Sequence, residues 1–452
     1  MKNKHWLVRM LAVLLAFGLV AAACGDDDDE DTGSDDSSGE ATESDLAGEE
    51  VLITGPERAE QQVGAINAAL DMLEERTGME ITYTGSADWE SEINTQVAGG
   101  NPPNISIFPQ PGKLADFARD GILKEFSSDV VASSEAWPES WRSFGDVDGG
   151  IFGVPVSANA KSLVWYKPAD FEANGYSVPE SWDDFKALVD TMIADGNTPL
   201  CVGIESGQAT GWVFTDWTED LLLRFEGPEV YDDWVANDVK FADERIINVW
   251  NEILELWNTD GAVFAAGGSI AATTHSADPA EGLANDQCMM VRQASFFTGF
   301  LPAGSSDIDV FYFPSVDDTR PVLGAGALIG AFDDNPATMA VAEFMAGAEY
   351  AEIRQQEQTA ILVELNEAEG VSDAPIASGF LSPAEGQDTS VYTDLEQSLL
   401  DILATADVVR FDGADLMPAD VGAGTFWSEG TALVNGDTSP EDAAAAIDAS
   451  WP

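Results

Sequence analysis

The chain has 452 residues, with 82 acidic against 19 basic side chains and a formal net charge of -63. A surface so poor in Lys and Arg excludes a nucleic-acid binder, whose affinity rests on neutralising phosphates. A hydrophobic fraction of 45% with 13 tryptophans can build a core, so the acidity reads as solubility, as in a saline habitat, and identifies no partner.

Lys2, Lys4 and Arg9 form a positive n-region ahead of an apolar run over 10–20. About eleven apolar residues are too few to span a hydrocarbon core of ~30 Å, so residues 1–23 read as a signal peptide. Cys24 directly follows Ala21-Ala22-Ala23, an order that resembles a lipobox, although Ala21 stands where a large residue is usual. Cys24 is then expected to be acylated and to anchor the mature chain outside the cytoplasm, on the cell membrane. The alternative is an ordinary cleaved signal with an incidental cysteine. Residues 24–48 are almost all Asp, Glu, Ser, Thr and Gly. They cannot bury enough apolar area to offset their ordering entropy, and read as a disordered acidic tether reaching roughly 27 Å as a coil.

The body is long enough for two domains. Residues 51–55 read as a buried strand, followed by Val63, Ile66, Leu70 and Leu73 at helical spacing and by Gly78 as the helix stop. Strands at 79–83 and 104–108, with a helix at 89–97 between them, continue a βαβαβ alternation. That pattern predicts a parallel sheet with helices on both faces, and ligands at the carboxyl ends of its strands. A second unit begins near 157–161. It takes in a strand at 163–166, a helix capped by Ser181, a strand at 200–204 and an amphipathic helix over 245–257. Trp250 and Trp257 share one face of that helix and read as core. Strands follow at 309–313 and 322–332, with a final helix at 440–447. Once Cys24 is lipidated, Cys201 and Cys288 remain as a disulfide candidate in an oxidising compartment, two unrelated buried thiols being the alternative.

The body resembles a family 1 extracellular solute-binding protein of ABC importers, and within that family the α-glucoside and maltodextrin binders. The resemblance is carried by VLITGPE, NPPNISIFPQPGKLADFARDGIL, GGIFGVPVSANAKSLVWYKPADF, ESGQATGWVFTDWTED, CMMVRQASFF and MPADVGAGTFWSEGTALVNG, in that order. It implies an α/β fold of two lobes, each a mostly parallel sheet flanked by helices, closing on a ligand in the cleft. One lobe is expected at 49–158 plus 312–348, the other at 159–311 plus 349–452. It also implies a non-catalytic, monomeric receptor without cofactor or metal, whose partners are a carbohydrate and membrane permease subunits. A same-fold receptor for another solute is the alternative.

A sugar presents an apolar C–H face and a rim of hydroxyls, so its site needs flat aromatics and carboxylates or amides. Glu205, Trp212, Asp216 and Trp217 supply both in one turn-rich stretch that enters a helix. Trp427 falls at the family's C-terminal stacking position, and Phe296 stands where maltodextrin binders carry a tryptophan. Glu57, Ser86 and Gln110 are polar groups at strand ends, and Asn159 sits at the first crossover. A catalytic triad would depend on His275, which reads as a surface-loop histidine. Carboxylate pairs suited to a cell-surface glycoside hydrolase cannot be sorted by counting.

Overall fold

The computed structural model describes residues 46–372 and 375–452. The expected signal peptide, Cys24 and nearly all of the 24–48 tether lie outside them. The strands are β1 (Glu50–Gly55), β2 (Glu80–Gly85), β3 (Ile105–Phe108), β4 (Asp146–Val147), β5 (Gly150–Ile151), β6 (Val154–Ala160) and β7 (Leu163–Tyr166). They continue with β8 (Leu200–Cys201), β9 (Val263–Phe264), β10 (Met290–Arg292), β11 (Asp309–Tyr312), β12 (Pro321–Ala331) and β13 (Val408–Phe411).

The first sheet runs β13-β12-β3-β1-β2, with β6 also paired to β12. The predicted βαβαβ unit is there: β1 is parallel to both β2 and β3. Its first crossover helix, Glu60–Thr77, ends on Gly78 in the left-handed region (φ 74°), whose N–H donates to the Glu74 carbonyl. β12 returns antiparallel to β3 and β6, so the sheet is mixed. Every residue of β12 is buried, as its PVLGAGALIGA sequence requires for a central strand.

The second sheet runs β11-β7-β10-β8-β9, parallel from β10 through β8 to β9 and antiparallel at β7 and β11. The chain passes between the sheets at Lys161-Ser162, between β6 and β7, and again between β11 and β12. β13 and the helix Ala348–Ala368, both within the stretch expected in the second lobe, lie with the first sheet. β13 pairs in parallel with β12, and the helix packs on Glu60–Thr77. Ile66, Leu70 and Leu73 of the first helix share one buried cluster with Tyr350 of the second, despite their separation in sequence.

The second lobe is built around tryptophans. Trp250 and Trp257 are core, as expected, together with Trp217, Trp234 and Phe313. Cys201 in β8 and Cys288 are joined as a disulfide, their Cα atoms 5.5 Å apart and their positions separated by 87 residues.

Candidate functional site

A cavity of about 420 Å3 lies between the two sheets. The strand-end turns of the first sheet put Glu57 and Gln110 in its wall, and β6 and β12 add Asn159 and Ala325. The second lobe contributes Trp212, His275 and Phe296.

Trp212 opens the helix Trp212–Val235 directly after Gly211, which has φ 113°. A Cβ at Gly211 would sit 2.2 Å from the Trp427 carbonyl oxygen, so only glycine allows this helix start to press against Trp427. The Trp212 ring centroid lies 5.1 Å from that of His275 and 6.0 Å from that of Phe296. Phe300 closes the series, 5.7 Å from His275 and 6.3 Å from Phe296. These rings form one continuous aromatic wall. Lys161 Nζ stands 5.4 Å from the centre of the Trp212 ring.

Behind that wall lies a buried charge network. Lys161 Nζ donates to Asp216 Oδ1 at 2.8 Å and to Asp412 Oδ2 at 2.5 Å. Arg292 Nη2 donates to Asp220 Oδ2 at 2.8 Å, Arg224 also donates to Asp220, and Glu219 accepts the N–H groups of Gly413 and Ala414. Burial pushes the Asp216 carboxyl up to about 7, although Lys161 opposes the rise. Burial likewise raises Glu219 and Asp415. Asp412 is held low: burial works against it, but Lys161 prevails. Burial alone would lower Lys161, yet Asp216 and Asp412 hold it above its ordinary value. Lys161, Asp412 and Asp415 all reach the cavity.

Of the residues singled out in the sequence, Glu57, Gln110, Asn159, Trp212, Phe296 and Trp427 line the cavity. The other four are placed elsewhere. Trp217 is 1% exposed, with its ring 5.6 Å from Trp257 and 5.3 Å from Phe313, because it lies on the core face of its helix. Asp216 is fully buried in the charge network. Glu205 Oε1 accepts the Gly207 N–H at 2.9 Å, and Ser86 Oγ accepts the Asp88 N–H at 3.1 Å. Both shape turns whose next residues, Ser206 and Ala87, line the cavity instead.

His275 corrects a further expectation. It belongs to the cavity wall rather than to a surface loop, since its backbone N–H donates to the Glu205 carbonyl and draws it inward. Its Nδ1 is 2.7 Å from Ser276 Oγ. Burial, with Arg58 adding to it, pushes the imidazole down to about 3, so it is neutral at ordinary pH. Sequence reasoning also missed Lys161, Asp412, Phe300, Arg354 and Phe380. Lys161 and Asp412 alone carried a local signal, since each directly follows a strand of the first sheet at its carboxyl end. The others come together only through long-range packing.

Two mixed α/β lobes around a cavity with an aromatic wall and polar ends define a protein built to enclose a small solute. The sequence profile of the bacterial extracellular solute-binding proteins matches residues 59–352, and the chain belongs to that family. The osmoprotective compounds-binding protein GgtB of Synechocystis is 36% identical over 422 residues, covering 89% of this chain and 92% of that protein. The alpha-glucosides-binding periplasmic protein AglE of Rhizobium meliloti is 35% identical over 426 residues, covering 90% and 88%. The solved solute receptor AcbH, described as exclusive for β-D-galactopyranose, superposes with a TM-score of 0.74 at 18% identity, over 89% of this chain and 98% of that one. The cyclic α-maltosyl-1,6-maltose binding protein of Arthrobacter globiformis gives 0.61 at 16% identity, over 89% and 98%. At such identities the likeness is one of fold.

Proposed function

We propose that this protein is the sugar-capturing receptor of an ABC importer, binding a neutral α-glucoside or short oligosaccharide without turning it over. The observation that carries this reading is the Trp212–His275–Phe296–Phe300 wall facing carboxylates and amides across one cavity. Ring faces accept the C–H side of a sugar, while Glu57, Gln110 and Asn159 are placed for its hydroxyls. A volume of about 420 Å3 lies toward the small end of ligand sites, which suits one or two sugar rings better than a long chain. The relative named for α-glucosides supports the same ligand class.

In this reading the lobes close on the sugar, and differential affinity for the closed state couples capture to delivery at a membrane permease. The mature chain is a monomer held at the outer face of the membrane by lipid on Cys24. Cys24→Ser should release it or leave the precursor unprocessed.

A thermal-shift panel of mono- and oligosaccharides tests the ligand class. A sugar at 100 times its Kd should add about 2.7 kcal/mol of stability, and a panel without any shift would sink the reading. Overnight incubation with the best binder should return it intact by chromatography. Released monosaccharide that disappears on substituting a cavity carboxylate would make the protein a hydrolase.

A further inference from the structure

Arg354 lies on the helix Ala348–Ala368, in a part of the chain with no recognisable binding motif, yet it lines the cavity. Its side chain is only 3% exposed. A buried guanidinium ordinarily uses most of its five donors, because each N–H left without an acceptor is costly. Here Nη2 reaches Glu57 Oε1 at 3.5 Å, the long limit of a hydrogen bond. The Tyr350 hydroxyl also interacts with the guanidinium, but among the described residues no acceptor meets Nε or Nη1 in full hydrogen-bond geometry. Phe380, also in the cavity wall, holds the guanidinium flat, its ring centre 4.5 Å from Cζ.

Glu57 is fixed from the other side. The Tyr83 hydroxyl donates to its backbone carbonyl at 2.9 Å and lies 3.2 Å from its Oε2. Each carboxylate oxygen retains acceptor capacity beyond those contacts. A donor short of acceptors thus stands beside an acceptor with lone pairs to spare, in the wall of one cavity. A hydroxyl group satisfies both, accepting from the guanidinium and donating to the carboxylate. An anionic ligand group at this corner would gain from Arg354 but be repelled by Glu57.

We infer that Arg354 and Glu57 together read one hydroxyl of the bound sugar, making Arg354 a specificity-determining residue of the site. The inference rests on the sugar reading above, and names a contact that reading does not supply.

The test is a cycle between protein and ligand. Wild type, Arg354→Lys and Glu57→Gln are titrated calorimetrically with trehalose, sucrose and maltose, and with the monodeoxy derivatives of each. Lysine keeps the charge but loses the planar fork, and glutamine keeps the shape of Glu57. In wild type, one deoxy position should lower affinity about tenfold to a hundredfold, as expected for a hydrogen bond to a charged group. In Arg354→Lys, and independently in Glu57→Gln, the parent sugar should lose a similar factor. The same deoxy derivative should then bind no worse than its parent. A merely structural Arg354 would lower Tm while leaving the wild-type ranking of the deoxy series intact in both variants, and that outcome overturns the inference. Wild type that binds none of the three sugars, nor any sugar of the thermal-shift panel, would sink the sugar reading and this assignment with it. Binding with additive losses sinks the assignment alone.

Discussion

Lys161 and Asp412 are joined at 2.5 Å, Nζ to Oδ2, although 251 residues separate them in sequence. The register of the first sheet brings this about: Gly324 of β12 is partnered by Ala160 on one side and by Phe411 on the other. The next residue on each flanking strand is Lys161 and Asp412, with backbone N–H groups donating to the Leu323 and Gly324 carbonyls. One central strand therefore aligns the two charges at the edge of the cavity, where the chain first leaves the sheet.

Removing Lys161 should leave Asp216 and Asp412 buried without their shared cation. Lys161→Met is expected to cost about 3–5 kcal/mol by urea denaturation, because a broken buried pair leaves an uncompensated charge. Adding Asp216→Asn should recover part of that loss. A single variant within about 1 kcal/mol of wild type would show that the network is not held together through Lys161.

Much of the architecture was legible in the sequence because it is written locally. Strand runs, the Gly78 helix stop and the Ser181 cap, whose Oγ accepts the Asp184 N–H at 3.1 Å, need only their neighbours. The same holds for Trp250 and Trp257, whose spacing on one helix face announced them as core. The site was legible in part. Turn residues such as Glu57 and Gln110 could be placed from the rule that ligands meet strand ends. Trp217 misled because polar neighbours say nothing about which helix face a ring occupies. Trp212 and Trp217 are five positions apart on one helix, so the two rings leave it in different directions and only one meets the cavity. His275 misled for a related reason, since a loop with no periodicity gives no sign that its backbone is drawn in by Glu205. Arg354 reaches the cavity from a helix that packs against Glu60–Thr77, a contact made far along the chain.

The two tryptophans give a direct comparison. Trp217→Ala should cost about 3–5 kcal/mol of folding stability while leaving sugar affinity per folded molecule unchanged. Trp212→Ala should lower affinity tenfold or more, if some 60–100 Å2 of shared burial is lost at about 25 cal/mol per Å2. Its effect on the apo melting temperature should be the smaller of the two. Affinity lost in Trp217→Ala but kept in Trp212→Ala would reverse the assignment.

The Cys201–Cys288 disulfide closes a loop of 87 residues across the second lobe. By loop-closure entropy a bridge of that span contributes about 4–5 kcal/mol. The unreduced mature protein should be lighter than the reduced form by a pair of hydrogens, and Cys201→Ser with Cys288→Ser should unfold at lower urea. Two thiols that alkylate under denaturing, non-reducing conditions would exclude the bond.

His275 predicts a pH dependence of fixed sign. An unfolded histidine titrates near 6.5, whereas burial and Arg58 hold the native one down at about 3. Between those values the unfolded chain binds the proton and the native one does not, so stability rises with pH. The contribution is complete above 6.5 and is lost as pH falls below it. Asp216, raised to about 7, works in the opposite direction from its unfolded value upward, so the wild-type profile alone would mix the two. His275→Asn separates them, because Asp216 is common to both proteins and asparagine can keep a hydrogen bond to Ser276. Urea denaturation of each at pH 7 and pH 5 should show wild type losing more stability on acidification than the variant. Equal losses would mean that the native imidazole takes up its proton as readily as the unfolded one, and that the Trp212–Phe300 wall does not exclude water from it.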